Sequence, residues 1–246
     1  MRIDFVTLFP EMVLAGVRHS ILGRAEERGL VRFGTANPRD YTYDRHGKVD
    51  DTPFGGEPGM LIKAEPVALA VEGLRRTGGS EDGRDGGVAV VLTDPAAPLF
   101  TQADARGLSS FDHLIFLCGH YEGFDHRVKT QIATHAFSIG DYVLTNGELP
   151  ALVMADAIVR LIPEVLGSAE SLAADSYSDG LLSAPNYTRP EVWRGEEVPE
   201  VLRSGNHQAI QQWRRSQALK ATQEMRPDLF AKAKLNKADI KLISGD

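Results

Sequence analysis

The residues best suited to chemistry fall in two stretches, LCGHYEGFD (117–125) and SIGDYVLTNGELP (138–150). Each sets glycines beside Glu, Asp and Tyr at the point where an apolar run stops. Gly119, Gly123, Gly140 and Gly147 permit left-handed backbone and close approach to a ligand, which a chain of residues with Cβ atoms does not do cheaply. The runs LIFLC and AFSIG before them read as buried strands, so both loops are expected at strand ends of an α/β domain. Ligands of open α/β sheets sit there. A third run, VAVVLTDP, reads as a buried strand ending in Thr93, Asp94 and Pro95, and the three strand ends are expected to face one pocket.

The elements that position these loops can be read in order. Residues 2–9 alternate as a strand, and Pro10 opens a helix whose apolar positions Val13, Val17, Ile21 and Ala25 run up to Gly29. Residues 30–36 form a second strand, giving a β-α-β opening. The turn TLFPEM has no GxGxxG, which disfavours a dinucleotide-type site and a Rossmann methyltransferase. Residues 37–60 are too polar and too rich in Gly and Pro for regular structure, and long loops inside a compact domain are usually functional. Arg39, Arg45, His46 and Lys48 beside Tyr41 and Tyr43 suit phosphate contacts and base stacking. The same loop offers Asp40, Asp44, Asp50 and Asp51 with His46 as a possible metal cluster, although no spacing is diagnostic of a metal. A helix over 64–76 precedes GGSEDGRDGG (78–87), a flexible connector by composition. After the second glycine loop, Pro150 suits the first turn of a helix that Pro163 ends. Residues 163–189 shift to Gly, Ser, Ala and Asp, a linker composition. Beyond them, 190–246 carry helical patterns with a basic face that includes Arg203, His207, Arg214, Arg215 and Lys220, and Arg189 at the end of the linker joins them as a candidate RNA contact.

Composition narrows the classes further. The 246 residues, 42% of them hydrophobic, suffice for one large domain or two unequal ones with a full core. No apolar run approaches the roughly 20 residues of a membrane span. MRIDFVTLFP lacks a signal peptide's apolar region and small-residue cleavage site, so a cytoplasmic protein is expected. The one cysteine, Cys118, excludes an intrachain disulfide and, at the end of a buried strand, reads as a small core residue. A formal net charge of −7 argues against a surface that coats nucleic acid, so any RNA contacts must be local.

The segments LCGHYEGFD, SIGDYVLTNGELPA and DRHGKVDDTPFGGEPGM closely resemble the bacterial tRNA (guanine-N1)-methyltransferase family, TrmD. The likeness runs collinearly from residue 1 to about residue 230. It implies an α/β fold with a mostly parallel sheet and a deep C-terminal trefoil knot (SPOUT), followed by a small all-α domain. The domains would be a knotted methyltransferase domain (1–162), a flexible linker (163–189) and a helical tRNA-binding domain (190–246). It implies S-adenosylmethionine bound by Leu92, Thr93 and Pro95 at the first strand end and by Gly119, Tyr121 and Gly123 at the second. Ile139, Gly140, Tyr142, Leu144, Gly147 and Pro150 complete the site at the third. Asp175, in LAADSYSDG, matches the family's catalytic aspartate, and Arg160, in AIVRLIP, its catalytic arginine. Glu122 matches an acidic residue tied to Mg2+ dependence. The substrate implied is the guanosine at tRNA position 37, and the enzyme implied is a homodimer whose linker and C-terminal domain complete the partner's site. Two residues depart from the pattern: His120 stands where many relatives have Arg, and Asn146 where many have Gly. Two other classes remain in view, a metal-dependent phosphoesterase using His46, Asp50, Asp51 and Glu122, and a non-catalytic RNA-binding module.

Overall fold

A computed structural model describes residues 1–77, 87–167 and 174–244. Most of the expected connector (78–86) and part of the expected linker (168–173) lie outside the described residues. The chain divides into two compact units, Met1–Gly167 and Ser168–Asp246. In chain order the first unit runs β1 (Arg2–Val6), α1 (Pro10–Val17), α2 (Ser20–Glu27), β2 (Arg32–Ala36), β3 (Asp50–Asp51), β4 (Leu61–Ile62) and α3 (Ala64–Thr77). It continues with β5 (Val88–Thr93), α4 (Gln102–Leu108), β6 (His113–Leu117), α5 (His126–Gln131), β7 (His135–Phe137) and α6 (Glu148–Val159).

The main sheet has the order β2-β1-β6-β5-β7 with every pair parallel, which is the mostly parallel α/β class read from the sequence. Its central strands are buried on both faces, as the continuous apolar runs require. Ile3, Phe5, Ala89, Val91, Leu114 and Phe116 face a core shared with α1, α2, α4 and α6. Val6, Val90, Leu92, Ile115 and Leu117 face a second core, against α3 and α5. The register pairs Leu92 with Leu117 and Thr93 with Phe137, so β5, β6 and β7 end level.

The connection from β7 to α6 is the constrained part of the fold. Ser138 donates its N–H to the Pro98 carbonyl (2.9 Å) and accepts from the Phe100 N–H (2.8 Å), which pairs it with the β5–α4 connection. The Gly147 N–H then reaches the Gly119 carbonyl at 2.8 Å, in the β6–α5 connection. The chain thus runs between two earlier connections before α6 joins the core on the α1 and α4 side. That passage is the one a trefoil knot needs, and no local pattern in the sequence encodes it.

Three local differences from the sequence reading have physical causes. The helix expected from Pro10 to Gly29 breaks into α1 and α2, because His19 is extended and Ser20 takes φ 55. Gly23 then lies against the Arg18 carbonyl, where a Cβ would stand 2.4 Å from the oxygen. The loop 37–60 carries a 3-10 turn at Pro38–Tyr41, capped by the Asn37 side chain, and is pinned by the β3–β4 pairing and by buried Val49. Finally, α6 ends at Val159, before Pro163, and Leu161 and Ile162 close it with tighter turns.

Among the described residues the second unit begins with an irregular stretch over 175–191 and continues with one short hairpin and four helices. It holds β8 (Val192–Trp193), β9 (Glu196–Glu197), α7 (Glu200–Arg203), α8 (His207–Met225), α9 (Pro227–Phe230) and α10 (Lys237–Ser244). Leu181 is buried, and the Leu182 N–H donates to Thr222 Oγ1 on α8 at 2.8 Å. Residues expected in the linker are therefore packed into this unit around Leu181.

The tight passage makes a stability prediction. A Cβ on Gly147 would stand 2.3 Å from Thr93 Oγ1, 2.7 Å from the Gly119 nitrogen and 2.9 Å from Cys118 Cα, two of them backbone atoms. Gly147→Ala is expected to lower equilibrium unfolding stability by about 1–3 kcal/mol, the usual effect of overpacking. Gly107, in α4, has open space around its Cβ position. Gly107→Ala is expected to raise stability by roughly 0.5–1 kcal/mol through helix propensity, and denaturant titration of both variants checks the pair.

Candidate active site

A cleft of about 210 Å³ opens where β5, β6 and β7 end. Ten of the twelve residues expected at the donor site line it: Thr93 and Pro95 from the first loop, Gly119, Tyr121 and Gly123 from the second, and Ile139, Tyr142, Leu144, Gly147 and Pro150 from the third. Leu92 instead lies below, buried in β5. Gly140 is packed under the Tyr142 ring, where a Cβ would come within 2.3 Å of a ring carbon. Asp94, read from the sequence as part of the first strand end, also lines the cleft, as do Ser138, Val143, Thr145 and Asn146; none of the five was among the residues expected to bind the donor.

Hydrogen bonds join the loops to one another. Thr93 Oγ1 donates to the Leu117 carbonyl at 3.0 Å, tying the first strand end to the second. The second loop is held from below by β4 and the end of the polar loop. There the Glu122 N–H donates to Met60, the Ile62 N–H to Gly123 and the Asp125 N–H to Ile62, at 2.8–3.1 Å. Asp125 then caps α5, and the Arg127 guanidinium beside it pulls its carboxyl down to about 2. The lining contains two carboxylates, Asp94 and Glu122, and among the described residues no Lys, Arg or His. Asp94 is braced by Lys129 (2.6 Å) and by the Ala96 N–H (2.8 Å). Apolar walls with two carboxylates suit a ligand that has a flat apolar part and a cationic centre.

Beneath the cleft, Glu148 is fully buried in the first turn of α6. His120 Nε2 lies 2.9 and 3.0 Å from its two oxygens, and Thr7 Oγ1 donates to one of them at 2.5 Å. Burial, with the Glu148 charge second, pushes the Cys118 thiol well up, so this cysteine is an inert core residue as expected.

The remaining expected residues are distributed elsewhere. Arg160 caps the far end of α6, about 18 Å along the helix axis from Glu148 at 1.5 Å per residue. Asp175 belongs to the second unit and lines a cavity of about 500 Å³ with Ser183, Asn186, Gln211 and Arg214. Among the described residues no three His, Cys, Asp or Glu side chains gather as a metal site. His46, Asp50, Asp51 and Glu122 are therefore not brought together, and Asp51 faces Lys48 and Lys63 at 4.0 and 3.7 Å. Of the residues expected to meet RNA, Arg39, Arg45, His46 and Lys48 are exposed on the first unit, and Arg189, Arg203, His207 and Arg214 on the second. Tyr43 is exposed, whereas Tyr41 packs against Gly73 of α3 and does not offer a stacking face.

Arg215 departs from the expectation of an RNA contact. Its guanidinium grips Asp239 at 2.7 and 2.9 Å and also bonds Asp179, so it is built into the second unit. Sequence reading sees only a basic helix position here, because both partners are remote in the chain.

A parallel α/β sheet with its cleft at three strand ends, and with one connection passed between two others, defines a methyltransferase of the knotted SPOUT class. A model of the tRNA (Guanine-1)-methyltransferase TrmD family matches residues 1–232. A tRNA (guanine-N(1)-)-methyltransferase of Dehalococcoides mccartyi is 50% identical over 243 residues, covering 99% of this chain and 96% of its own. Proteins of the same name from Staphylococcus epidermidis and Lacticaseibacillus paracasei are each 49% identical over 243 residues, covering 99% of this chain and 96% and 92% of theirs. The chain belongs to the tRNA (guanine-1)-methyltransferase TrmD family. Among the described residues no helix is long and apolar enough to cross a membrane.

The Arg215 cluster carries a pH prediction. Asp239 is almost wholly enclosed, and the Arg215 guanidinium holds its carboxyl below the usual value. A carboxyl depressed in the folded state adds stability above its unfolded value near 4, and that stability is lost as the pH falls through the folded value. Asp239→Asn is expected to cost roughly 1.5–3 kcal/mol at pH 7, as for hydrogen bonds to charged groups. It should also flatten the acid limb of unfolding below pH 4, and urea titrations at pH 7 and pH 3 check both.

Proposed function

We propose that this chain methylates N1 of the guanosine at position 37 of tRNA, next to the anticodon, with S-adenosylmethionine as donor, in the cytoplasm. The observation that carries the reading is the cleft: three strand ends, two of them glycine-bearing, with apolar walls, two carboxylates and, among the described residues, no lining cation. Loop backbone groups would hold the adenine edge, with Ile139 and Leu144 against its faces. When bound, the donor supplies an electrophilic methyl on a cationic sulfur.

The chain's own residues then have three tasks. Asp175 takes the N1 proton, so that the ring nitrogen can act as nucleophile. Arg160 stabilises the charge that develops on O6. Arg39, Arg45, His46 and Lys48, with Arg189, Arg203, His207 and Arg214 on the second unit, hold the RNA backbone. Arg160 stands too far along α6 to serve the cleft of its own chain, which supports a homodimer in which one copy completes the other's site. Glu122 is a hard-oxygen ligand that suits Mg2+, but among the described residues no group of three ligating side chains gathers around it. Any Mg2+ there would draw its other ligands from water and substrate, and no step is assigned to it.

The test is methyl transfer from labelled S-adenosylmethionine to a tRNA transcript with guanosine at position 37, beside the same transcript with adenosine there. Transfer only to the guanosine transcript, reduced by at least about a hundredfold in Asp175→Ala as expected for a lost general base, is the predicted result. Equal labelling of both transcripts, or full activity in the variant, would overturn the assignment of position and base.

A further inference from the structure

Glu148 is fully buried and does not line the cleft, yet its carboxylate meets parts of the chain that shape it. It lies one residue beyond Gly147, the last residue of the third cleft loop, and begins α6, a twelve-residue helix. The helix N-terminus favours an anion there. His120 belongs to the second cleft loop and reaches both carboxylate oxygens, at 2.9 and 3.0 Å. Thr7, just beyond β1, donates to the same carboxylate and accepts the Phe9 N–H at 2.9 Å. The Phe9 ring covers the imidazole, with centroids 4.7 Å apart.

Few other bonds join the second and third loops. Among the described residues they are the Gly147–Gly119 hydrogen bond and the isolated bridge between His120 and Asn146. Both are backbone contacts of the segment that His120 and Glu148 fix by their side chains. A buried carboxylate is costly, and a core position could be filled by an apolar residue at less cost. Its retention at this junction fits a role in holding two surfaces at a set separation.

We infer that Glu148 and His120 form a carboxylate–imidazole clamp that sets the width of the cleft, and that they are positioning residues for the adenosyl donor. The inference rests on the reading that S-adenosylmethionine binds in this cleft. His120 and Glu148 touch no reacting atom on this account, so the clamp governs donor affinity and leaves the chemical step nearly unchanged.

The test uses the full-length protein and reads donor Kd by calorimetry, donor KM and kcat on tRNA, and the unfolding midpoint. In the double variant His120→Leu/Glu148→Gln the clamp is cut, no buried charge is left uncompensated, and the Thr7 acceptor is kept. It should fold, with donor Kd and KM raised at least about tenfold, the scale of loss from a modest misplacement, and with kcat at saturating donor within about threefold. His120→Arg, which still donates two hydrogen bonds to a carboxylate, should restore donor affinity to near the wild-type value. If the double variant does not fold, His120→Asn takes its place, since the shorter side chain cannot reach the carboxylate. Wild-type donor affinity in the cut variant, or a loss confined to kcat, would overturn the inference. Failure of the wild-type protein itself to bind S-adenosylmethionine would instead overturn the functional reading, and the clamp's role with it.

Discussion

The segment between β7 and α6 has to pass beside Thr93, Cys118 and Gly119 with no room for a side chain at Gly147, and most of the first unit follows from that passage. Because it is bonded to residues 98–100 on one side and to Gly119 on the other, the ends of β5, β6 and β7 are held level and close. The cleft is the space these three loops leave. Buried Glu148 lies at the foot of the passage, where a helix N-terminus, an imidazole and a hydroxyl together meet the cost of enclosing a carboxylate. A pocket assembled in this way is largely formed before its ligand arrives, which reduces the ordering cost of binding.

Much of this was legible in the chain because it is local. The apolar runs before Gly119 and Gly140 gave the strands, and the glycines gave the loops. Ten of the twelve residues then fell around one cleft, since level strand ends are a property of a parallel sheet. What escaped is non-local. The threading between two earlier connections leaves no periodic trace, and only the family resemblance carried it. Glu148 reads as an ordinary first-turn acid of a helix, and nothing within the motif NGELP says that it is enclosed. Arg215 reads as part of a basic helix face, while its partners Asp179 and Asp239 are 36 and 24 residues away. The break at Ser20 was hidden because Val17 and Ile21 keep helical spacing across it.

The division of the chain into two units has a chemical counterpart. The first unit offers a cleft with carboxylates and, among the described residues, no lining cation; the second offers Asp175 in a cavity of its own, with exposed arginines nearby. On the proposed reading the first unit holds the donor, both units contribute cations to the RNA, and α6 carries Arg160 away from the cleft that its first turn helps to build. A second copy of the chain is then part of the machinery, and the net charge of −7 is no obstacle, because the cations that meet RNA are local.

The central claim is that the three strand-end loops are the donor's binding surface. Amide hydrogen exchange of the full-length protein, with and without saturating S-adenosylmethionine and with no tRNA present, tests it most directly. Slowed exchange is expected in peptides covering residues 92–96, 118–124 and 138–147, with unchanged exchange along α8. Protection that spares these loops and falls on the second unit would contradict it.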